Sequence, residues 1–108
     1  MSDSEFLDLA DAVLGRIEAA MDRLCDADVI DVECKRSGNV LEIEFIDNGS
    51  KIIVNSQAAM KEMWVAARSG GFHYKYVDGQ WQDTRTGNEL FAALSALTEL
   101  QGGAPVAL

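Results

Sequence analysis

The sequence predicts an α+β fold: a two-layer α-β sandwich whose N- and C-terminal helices pack on one face of a five- to six-stranded antiparallel sheet. Two segments, from Phe6 to Leu24 and from Leu90 to Leu100, repeat apolar residues at helical spacing. Between them, short stretches alternate apolar and polar side chains and are joined by tight turns. A half-buried antiparallel sheet has one apolar face to cover, so we expect both helices side by side on that face.

The first helix is predicted to begin at a capping box, because Ser2 and Glu5 have the S-x-x-E spacing. Apolar side chains then follow at helical intervals: Phe6, Leu9, Ala10, Val13, Leu14, Ile17, Ala20, Met21 and Leu24. With about 100° of rotation per residue, four acids fall in one narrow stripe roughly opposite these apolar residues: Asp8, Asp11, Glu18 and Asp22. The pattern predicts a long amphipathic helix whose acids face away from the core.

Alternating patterns predict the strands. In the first, which starts at Val29, the apolar residues Ile30, Val32 and Cys34 alternate with polar ones. Further strands are predicted, with turns between them, over 40–46, 51–57, 63–68, 72–77 and 80–83. Residues 57–62 fit either a loop or a single helical turn.

The second helix is predicted from Leu90 onward. Thr86 and Glu89 repeat the capping-box spacing, and Gly102-Gly103 supplies a C-terminal stop. We therefore expect a single domain over residues 1–103 and a short C-terminal tail over residues 104–108.

The composition is that of one globular domain. Of the 108 residues, 48% are hydrophobic and 25% are charged, which is enough for one core and argues against disorder. No segment approaches the roughly 20 continuous apolar residues of a membrane span, and the first residues do not resemble a secretion signal. We expect a cytoplasmic protein, in which Cys25 and Cys34 are free thiols.

Acidic residues are concentrated in the first third of the chain. Between Asp3 and Glu33 there are ten acidic side chains and only two basic ones, which leaves a net charge of −8 out of −9 for the whole chain. A field of one sign indicates a cationic partner, either a metal ion or a basic protein surface. The same acidity argues against binding of nucleic acid, whose phosphates would be repelled.

Six later acids of this segment are the candidate metal ligands, and we call them the acidic ridge: Glu18, Asp22, Asp26, Asp28, Asp31 and Glu33. Solubility alone does not explain them, because Glu18 and Asp22 repel each other at i,i+4 spacing and Asp22 lies near the negative end of the helix dipole. Carboxylates prefer hard cations such as Mg²⁺, Ca²⁺, Mn²⁺ or iron. The spacing does not match an EF-hand, so the ridge predicts an open, water-completed site of weak affinity.

Trp64 is the candidate binding anchor of the sheet. If Met63 and Val65 face the core, Trp64 lies on the uncovered face beside Arg68, and an exposed tryptophan is typical of a protein interface. If the strand parity is shifted by one residue, Trp64 belongs to the core instead.

No catalytic grouping is evident. His73 is the single histidine and has no obvious nucleophile partner. The chain also lacks a P-loop, a dinucleotide fingerprint and a G-x-S-x-G motif. We therefore expect a protein that is not an enzyme.

Several motifs together resemble the bacterial frataxin family, the CyaY-type proteins of iron–sulfur cluster assembly. The similarity spans nearly the whole chain and implies the two-layer fold predicted above. The motifs are Asp3-Ser4-Glu5-Phe6 with Leu9-Ala10-Asp11, the acids Glu18, Asp22 and Asp31, the run Asn48-Gly49-Ser50-Lys51-Ile52-Ile53 followed by Asn55 and Gln57, Trp64 between apolar residues, and Gly70-Gly71-Phe72-His73.

The resemblance also implies a function. Members of the family bind ferrous and ferric iron weakly through the acidic ridge, dock through it on a basic surface of the cysteine desulfurase, and modulate cluster assembly on the scaffold protein. A family member would be mainly monomeric, with iron-induced oligomers as a further state, and other hard divalent cations would compete for the ridge. Carried over to this chain, the partner-binding residues are Glu18, Asp22, Asn55, Gln57 and Trp64.

Two other functions are compatible with these residues. One is an iron-storing oligomer with ferroxidase activity. The other is an acidic protein-interaction module without a metal role.

Overall fold

Six strands lie between two helices in the computed structural model, which describes all residues from Met1 to Leu108. Each strand is antiparallel to the next, and the order of the strands in the sheet follows the chain. Both helices pack on one face of this sheet, so the predicted two-layer α+β sandwich is confirmed. Neither helix is long and apolar enough to cross a membrane. The elements are α1 (Asp3–Asp26), β1 (Val32–Ser37), β2 (Val40–Phe45), β3 (Lys51–Gln57), β4 (Glu62–Ala67), β5 (Gly70–Val77), β6 (Gln80–Asp83) and α2 (Leu90–Gly102).

The first helix begins as predicted. The Ser2 hydroxyl accepts a hydrogen bond from the Glu5 N–H at 3.1 Å, and the Glu5 carboxylate accepts one from the Ser2 N–H at 3.2 Å, which completes the capping box. Each large apolar side chain buried against the sheet contributes roughly 1.5–3 kcal/mol, so packing holds this helix more than its propensity does. The buried face consists of Phe6, Ala10, Val13, Leu14, Ile17, Ala20 and Met21.

Alternation along the strands divides the sheet into a core face, covered by the helices, and an open face. On β2, Leu41, Ile43 and Phe45 are buried in the core, whereas Glu42 and Glu44 point to the open face. The neighbouring strands continue the core face with Ile52, Val54, Met63, Val65 and Tyr74. The open face is therefore the polar face of the sheet.

The first strand begins at Val32, later than the predicted Val29. The end of α1 continues into a turn in which the Val29 N–H donates to the Leu24 carbonyl at 3.0 Å and Asp28 has a φ of 58°. The backbone of the first residues assigned to the strand by alternation is therefore used in this turn instead. Ile30 is still buried, but it reaches the core from the connection.

The two hairpins that flank β4 are tighter than the patterns indicated. Residues 58–61 form a turn in which Lys61 has a φ of 53°, so Glu62 is the first residue of β4. At the other end Ala67 pairs with Gly70, which leaves a two-residue turn. β5 therefore starts two residues earlier than predicted.

The start of α2 also differs from the prediction. Glu89 is itself the N-cap, because its carboxylate accepts hydrogen bonds from the N–H groups of Phe91 and Ala92 at 2.7 and 3.1 Å. The predicted capping box of Thr86 with Glu89 is wrong. Thr86 lies in the preceding turn, where its hydroxyl accepts a hydrogen bond from the Asn88 N–H at 3.2 Å.

The end of α2 confirms the predicted glycine stop. Gly103 has a φ of 78°, in the left-handed region that glycine adopts without strain, and its N–H donates to the Glu99 carbonyl at 2.9 Å. The Leu108 N–H donates to the Ser95 hydroxyl at 3.0 Å, so residues 104–108 lie against the domain. Their division from residues 1–103 as a tail stays a prediction. Three of them are half-buried against the core: Ala104, Val106 and Leu108.

Candidate functional site

The acidic ridge follows the chain around one edge of the sandwich. This edge is formed by α1, by the connection after it and by β1, the first strand of the sheet. Glu18, Asp22 and Asp26 belong to α1, Asp28 and Asp31 to the connection, and Glu33 to β1. The six residues therefore share an edge but lie on three different pieces of backbone.

The thiol of Cys34 shows how closely the helix and the edge strand approach. Burial raises the pKa of Cys34 to about 12, and the negative charges of Asp22 and then Glu18 contribute further to this rise. Two of the three helical acids of the ridge, Glu18 and Asp22, consequently lie on the side of α1 that faces β1.

None of the four helical acids is buried, so the prediction that they face away from the core is confirmed, and Asp11, Glu18 and Asp22 also lie on the flank of α1 next to β1. Asp11 forms an ion pair with Arg36 of β1, and Glu18 is only half exposed. Because α1 packs against β1 and β3, the flank of the helix next to the edge strand borders solvent and carries these side chains. A helical projection gives the angle between each side chain and the core, but it does not show which flank of the helix lies over the edge of the sheet.

Glu33 lies apart from the helical acids. Val32 and Cys34 point to the core side of β1, so Glu33 points to the open face. There it is directly opposite Glu44 of β2, and two like charges in this position repel each other. The ridge therefore continues from the helix layer around the edge strand onto the open face.

The six ridge carboxylates have no basic partner. The ion pairs of the structure join Asp11 to Arg36, Glu42 to Lys51, Asp3 to Lys61, and Glu62 to His73 and Lys75. The negative charge of the ridge is thus left uncompensated, while other acids of the chain are paired.

The connection forms a shallow depression of about 330 Å³ at the centre of the ridge. Its acidic lining residues are Asp28, Asp31 and Asp47, which lies in the turn after β2 and was not among the predicted ligands. No three His, Cys, Asp or Glu side chains are grouped closely enough to hold one metal ion. The geometry is that of dispersed carboxylates rather than a formed chelating site.

The strand register explains why Asp47 lies here. Val32 pairs with Phe45, and the Ile46 N–H donates to the Asp31 carbonyl at 3.0 Å. The residue after Ile46 is therefore brought next to Asp31. The tight turn between the first two predicted strands was the signal from which this register could have been worked out.

The residues expected to form the sheet-face partner surface do lie together. Asn55 of β3 is directly opposite Trp64 of β4, and Gln57 is opposite Glu62. The Gln57 amide donates to the Asn55 side chain, so these residues form one continuous patch on the open face.

Trp64 points to the open face, which settles the two alternatives left by the sequence. Met63 and Val65 are buried at 0% and 1% exposure, whereas the Trp64 side chain is half-buried on the other face. Its neighbour is not Arg68, which lies in the turn after β4, but His73 of β5. The two rings are stacked with their centroids 4.2 Å apart and their planes 5° from parallel.

Comparison with known proteins gives consistent matches over the whole chain. The model of the frataxin-like domain family matches residues 1–104. The iron–sulfur cluster assembly protein CyaY of Janthinobacterium sp. (strain Marseille) is 65% identical over 108 residues, which cover 100% of this chain and 96% of that protein. The CyaY protein of Herminiimonas arsenicoxydans is 61% identical with the same coverage.

Solved structures show the same fold. A frataxin from Psychromonas ingrahamii is 36% identical and superposes with a TM-score of 0.86, covering 99% of this chain and 97% of that one. A trimeric frataxin from the yeast Saccharomyces cerevisiae, complexed with ferrous iron, is 26% identical with a TM-score of 0.74, covering 87% of this chain and 85% of that one. The match to the Psychromonas ingrahamii frataxin includes both helices and the six-stranded sheet.

Proposed function

The chain belongs to the frataxin-like family, and from this premise we propose that it is an iron-binding adaptor that regulates iron–sulfur cluster assembly without being an enzyme. Its curated relatives at 65% and 61% identity are iron–sulfur cluster assembly proteins. The observation that carries the iron-binding part is the acidic ridge, because its six carboxylates follow one edge of the molecule without a basic partner.

Iron is proposed to bind weakly on the surface of the ridge. Carboxylate oxygens suit Fe²⁺ and Fe³⁺ as hard ligands, and Fe³⁺ gains more from a site of this charge. Because no three ligands are grouped, each ion would be held by one or two carboxylates and by water. Mg²⁺, Ca²⁺ or Mn²⁺ would compete for the same positions.

An NMR titration with Fe²⁺ without oxygen tests this binding. We expect broadening of amide signals along residues 18–33 and at Asp47, with the remainder of the chain unaffected. A Glu18→Gln, Asp22→Asn variant should lose part of this response, whereas the matched Asp8→Asn variant, which neutralises an exposed acid outside the ridge, should keep it. If the amide signals of the ridge do not change, iron does not bind there, and the alternative of an acidic interaction module without a metal role is favoured.

Docking is proposed to use two surfaces. The ridge, through Glu18 and Asp22, would meet a basic surface of the cysteine desulfurase. The patch of Asn55, Gln57 and Trp64 would meet the iron–sulfur scaffold protein. Support comes from the uncompensated charge of the first surface and from the contiguous polar and aromatic side chains of the second.

Salt dependence tests the docking of the ridge. Exposed charges are screened over about 8–10 Å at physiological ionic strength, so calorimetry should give a much weaker affinity for the desulfurase at high salt. The Glu18→Gln, Asp22→Asn variant should bind weakly at both salt concentrations. An affinity that does not change with salt would rule out electrostatic docking.

An iron-storing oligomer with ferroxidase activity is the second candidate. It is favoured by the yeast relative, which is trimeric and complexed with ferrous iron. Our proposal is instead a cytoplasmic protein that acts mainly as a monomer. Incubation with Fe²⁺ in air followed by size-exclusion chromatography separates the two, because only the storage function requires large iron-loaded assemblies and catalytic oxidation.

A further inference from the structure

Glu62 is a buried carboxylate on the side of the sheet that faces solvent. Its strand neighbours Met63 and Val65 point to the core, so Glu62 and Trp64 share the open face. Glu62 is nevertheless only 5% exposed. A charge withdrawn from water in this way needs hydrogen-bonding or charged partners, since otherwise it is strongly destabilising.

Three side chains of the open face supply these partners. Trp64 donates its Nε1–H to Glu62 Oε1 at 2.9 Å. His73 Nδ1 lies 3.5 Å from the same oxygen. Lys75 Nζ lies 3.9 Å from the other oxygen, Oε2. The antiparallel register sets His73 opposite Trp64 and Lys75 opposite Glu62, so the contacts form two adjacent cross-strand pairs.

One carboxylate oxygen faces a nitrogen of each stacked ring. Oε1 accepts a hydrogen bond from Trp64 Nε1–H, which orients the indole, and it places a negative charge 3.5 Å from Nδ1 of the imidazole stacked on that indole. A carboxylate beside Nδ1 also favours the neutral tautomer with its proton on Nδ1. His73 Nε2 is then a hydrogen-bond acceptor on a side chain that is 45% exposed.

From this geometry we propose that Glu62 is a positioning residue of the partner surface. It holds Trp64 and His73 as one ring stack and presents His73 Nε2 to a hydrogen-bond donor of the docked protein. The proposal rests on the proposed function, because it assumes that docking uses the open face. A side chain that is mobile before docking loses conformational freedom when the partner binds, and this loss weakens the affinity about two- to tenfold for each such side chain. Side chains that are already ordered in the free protein avoid this loss.

The free protein tests the ring stack. Glu62→Gln keeps the shape of the side chain and removes its charge. We expect the neutral His73 ring to shift towards the Nε2–H tautomer in long-range ¹H–¹⁵N NMR spectra. We also expect the Trp64 indole N–H signal, assigned by its loss in Trp64→Phe, to move. Glu44→Gln is the matched control, because it makes the same change on the open face at a residue that lies opposite Glu33 and Lys51 in the sheet and does not contact the ring stack.

Docking on the cognate iron–sulfur scaffold protein tests the role of the stack. Calorimetry should show about tenfold weaker binding for Glu62→Gln at a nearly unchanged melting temperature, and wild-type binding for Glu44→Gln. An unchanged tautomer and indole signal in Glu62→Gln would overturn the proposal. Wild-type affinity in a variant that has lost the stack would overturn it as well.

Trp64→Ala separates a failure of this proposal from a failure of the proposed function. If Trp64→Ala docks like the wild type, the open face is not the surface that binds the scaffold protein. Both the positioning role of Glu62 and the proposed docking of the open face are then wrong. If Trp64→Ala weakens docking and Glu62→Gln does not, the positioning role alone is wrong. Should Glu62→Gln fail to fold, Glu62→Asp draws the charge back by one methylene and is expected to give the same spectral and binding changes.

Discussion

Two free thiols at the ridge lie in different surroundings. Cys25 belongs to the last turn of α1, and Cys34 lies on the core side of β1. Burial and the charges of Asp22 and Glu18 raise the pKa of Cys34 from 9.0 to about 12. Because the thiolate is the nucleophile, Cys34 should react with iodoacetamide at pH 8 roughly a thousandfold more slowly than an unhindered thiol.

Mass spectrometry of two single-cysteine variants checks this difference. Cys25→Ala, which retains only Cys34, should stay almost unlabelled over a time in which Cys34→Ala is labelled at Cys25. Rapid labelling of Cys25→Ala in the folded state would contradict the close packing of Cys34 against the acidic side of α1.

Tyr74 should make the protein sensitive to alkaline pH. Its side chain is 1% exposed, and burial, followed by the charges of Asp83 and Glu89, raises the pKa of Tyr74 from 10.0 to about 12. The native state therefore keeps a proton that the unfolded chain loses. The stabilising contribution is complete below pH 10 and is lost as the pH rises towards 12.

Tyr74→Phe removes this titration and should flatten the alkaline loss of unfolding free energy. Urea denaturation at pH 8 and pH 11 measures the effect, in a Cys34→Ala background so that the thiol does not contribute. Tyr76→Phe, on the same side of β5, is the control and should keep the decline. A decline of equal size in Tyr74→Phe would show that other groups cause it.

At the scale of elements, Gln101 joins the end of α2 to two turns of the sheet. Its Nε2 donates to the Ser50 hydroxyl at 3.1 Å and to the Lys51 carbonyl at 3.3 Å, and its Oε1 accepts from the Arg68 N–H at 3.1 Å. Gln101 is 3% exposed and these bonds are part-buried, so its loss would leave three partner groups without a hydrogen bond that water only partly replaces. Gln101→Ala should lower the unfolding free energy by about 2–3 kcal/mol in urea denaturation.

Glu99→Ala, an exposed substitution on the same helix, is the matched control for Gln101→Ala and should change stability by less than about 0.5 kcal/mol. Equal effects of the two variants would mean that helix propensity, rather than the link to the two turns, determines the loss.

The elements themselves could be predicted wherever periodicity acts without a competing local structure. The predicted and observed bounds of β3 agree, because alternation there runs uninterrupted between two turns. The same spacing of capping residues was correct at Ser2 and wrong at Thr86. Gly87, with a φ of 76°, bends the residues after Thr86 into a turn of their own, and such local turns compete with helix starts.

The candidate site could be predicted in part. Alternation puts Asn55 and Gln57 on one face of β3, but it leaves both faces open for Trp64 and does not show that Glu62 is buried. That burial arises from residues on the next strand, whose side chains the pattern of one strand does not include. The position of Asp47 beside Asp31 has the same origin, because it depends on the register between two strands.

At the scale of the whole molecule, the uncompensated acids are held on one side by the fold. Neutralisation by bound cations or by a basic partner should therefore relieve repulsion in the native state. Glu18 and Asp22 repel each other at i,i+4 spacing, which costs about 0.2–0.5 kcal/mol. Asp22 also faces the negative end of the α1 dipole, which costs roughly 0.3–1 kcal/mol more. The same carboxylates that are proposed to bind the partner thus lower the stability of the free protein.

Asp22→Lys should separate these two properties. It turns a repulsion into a favourable Glu18–Lys pair and suits the helix dipole, so the unfolding free energy should rise by about 1 kcal/mol. Docking on the desulfurase should weaken, because a positive charge replaces a negative one on the ridge. Asp8→Lys makes the same change in net charge on an exposed part of α1 outside the ridge and should neither stabilise the protein comparably nor weaken docking as much. Equal weakening by both variants in calorimetry would mean that net charge, rather than the position of the ridge, attracts the partner.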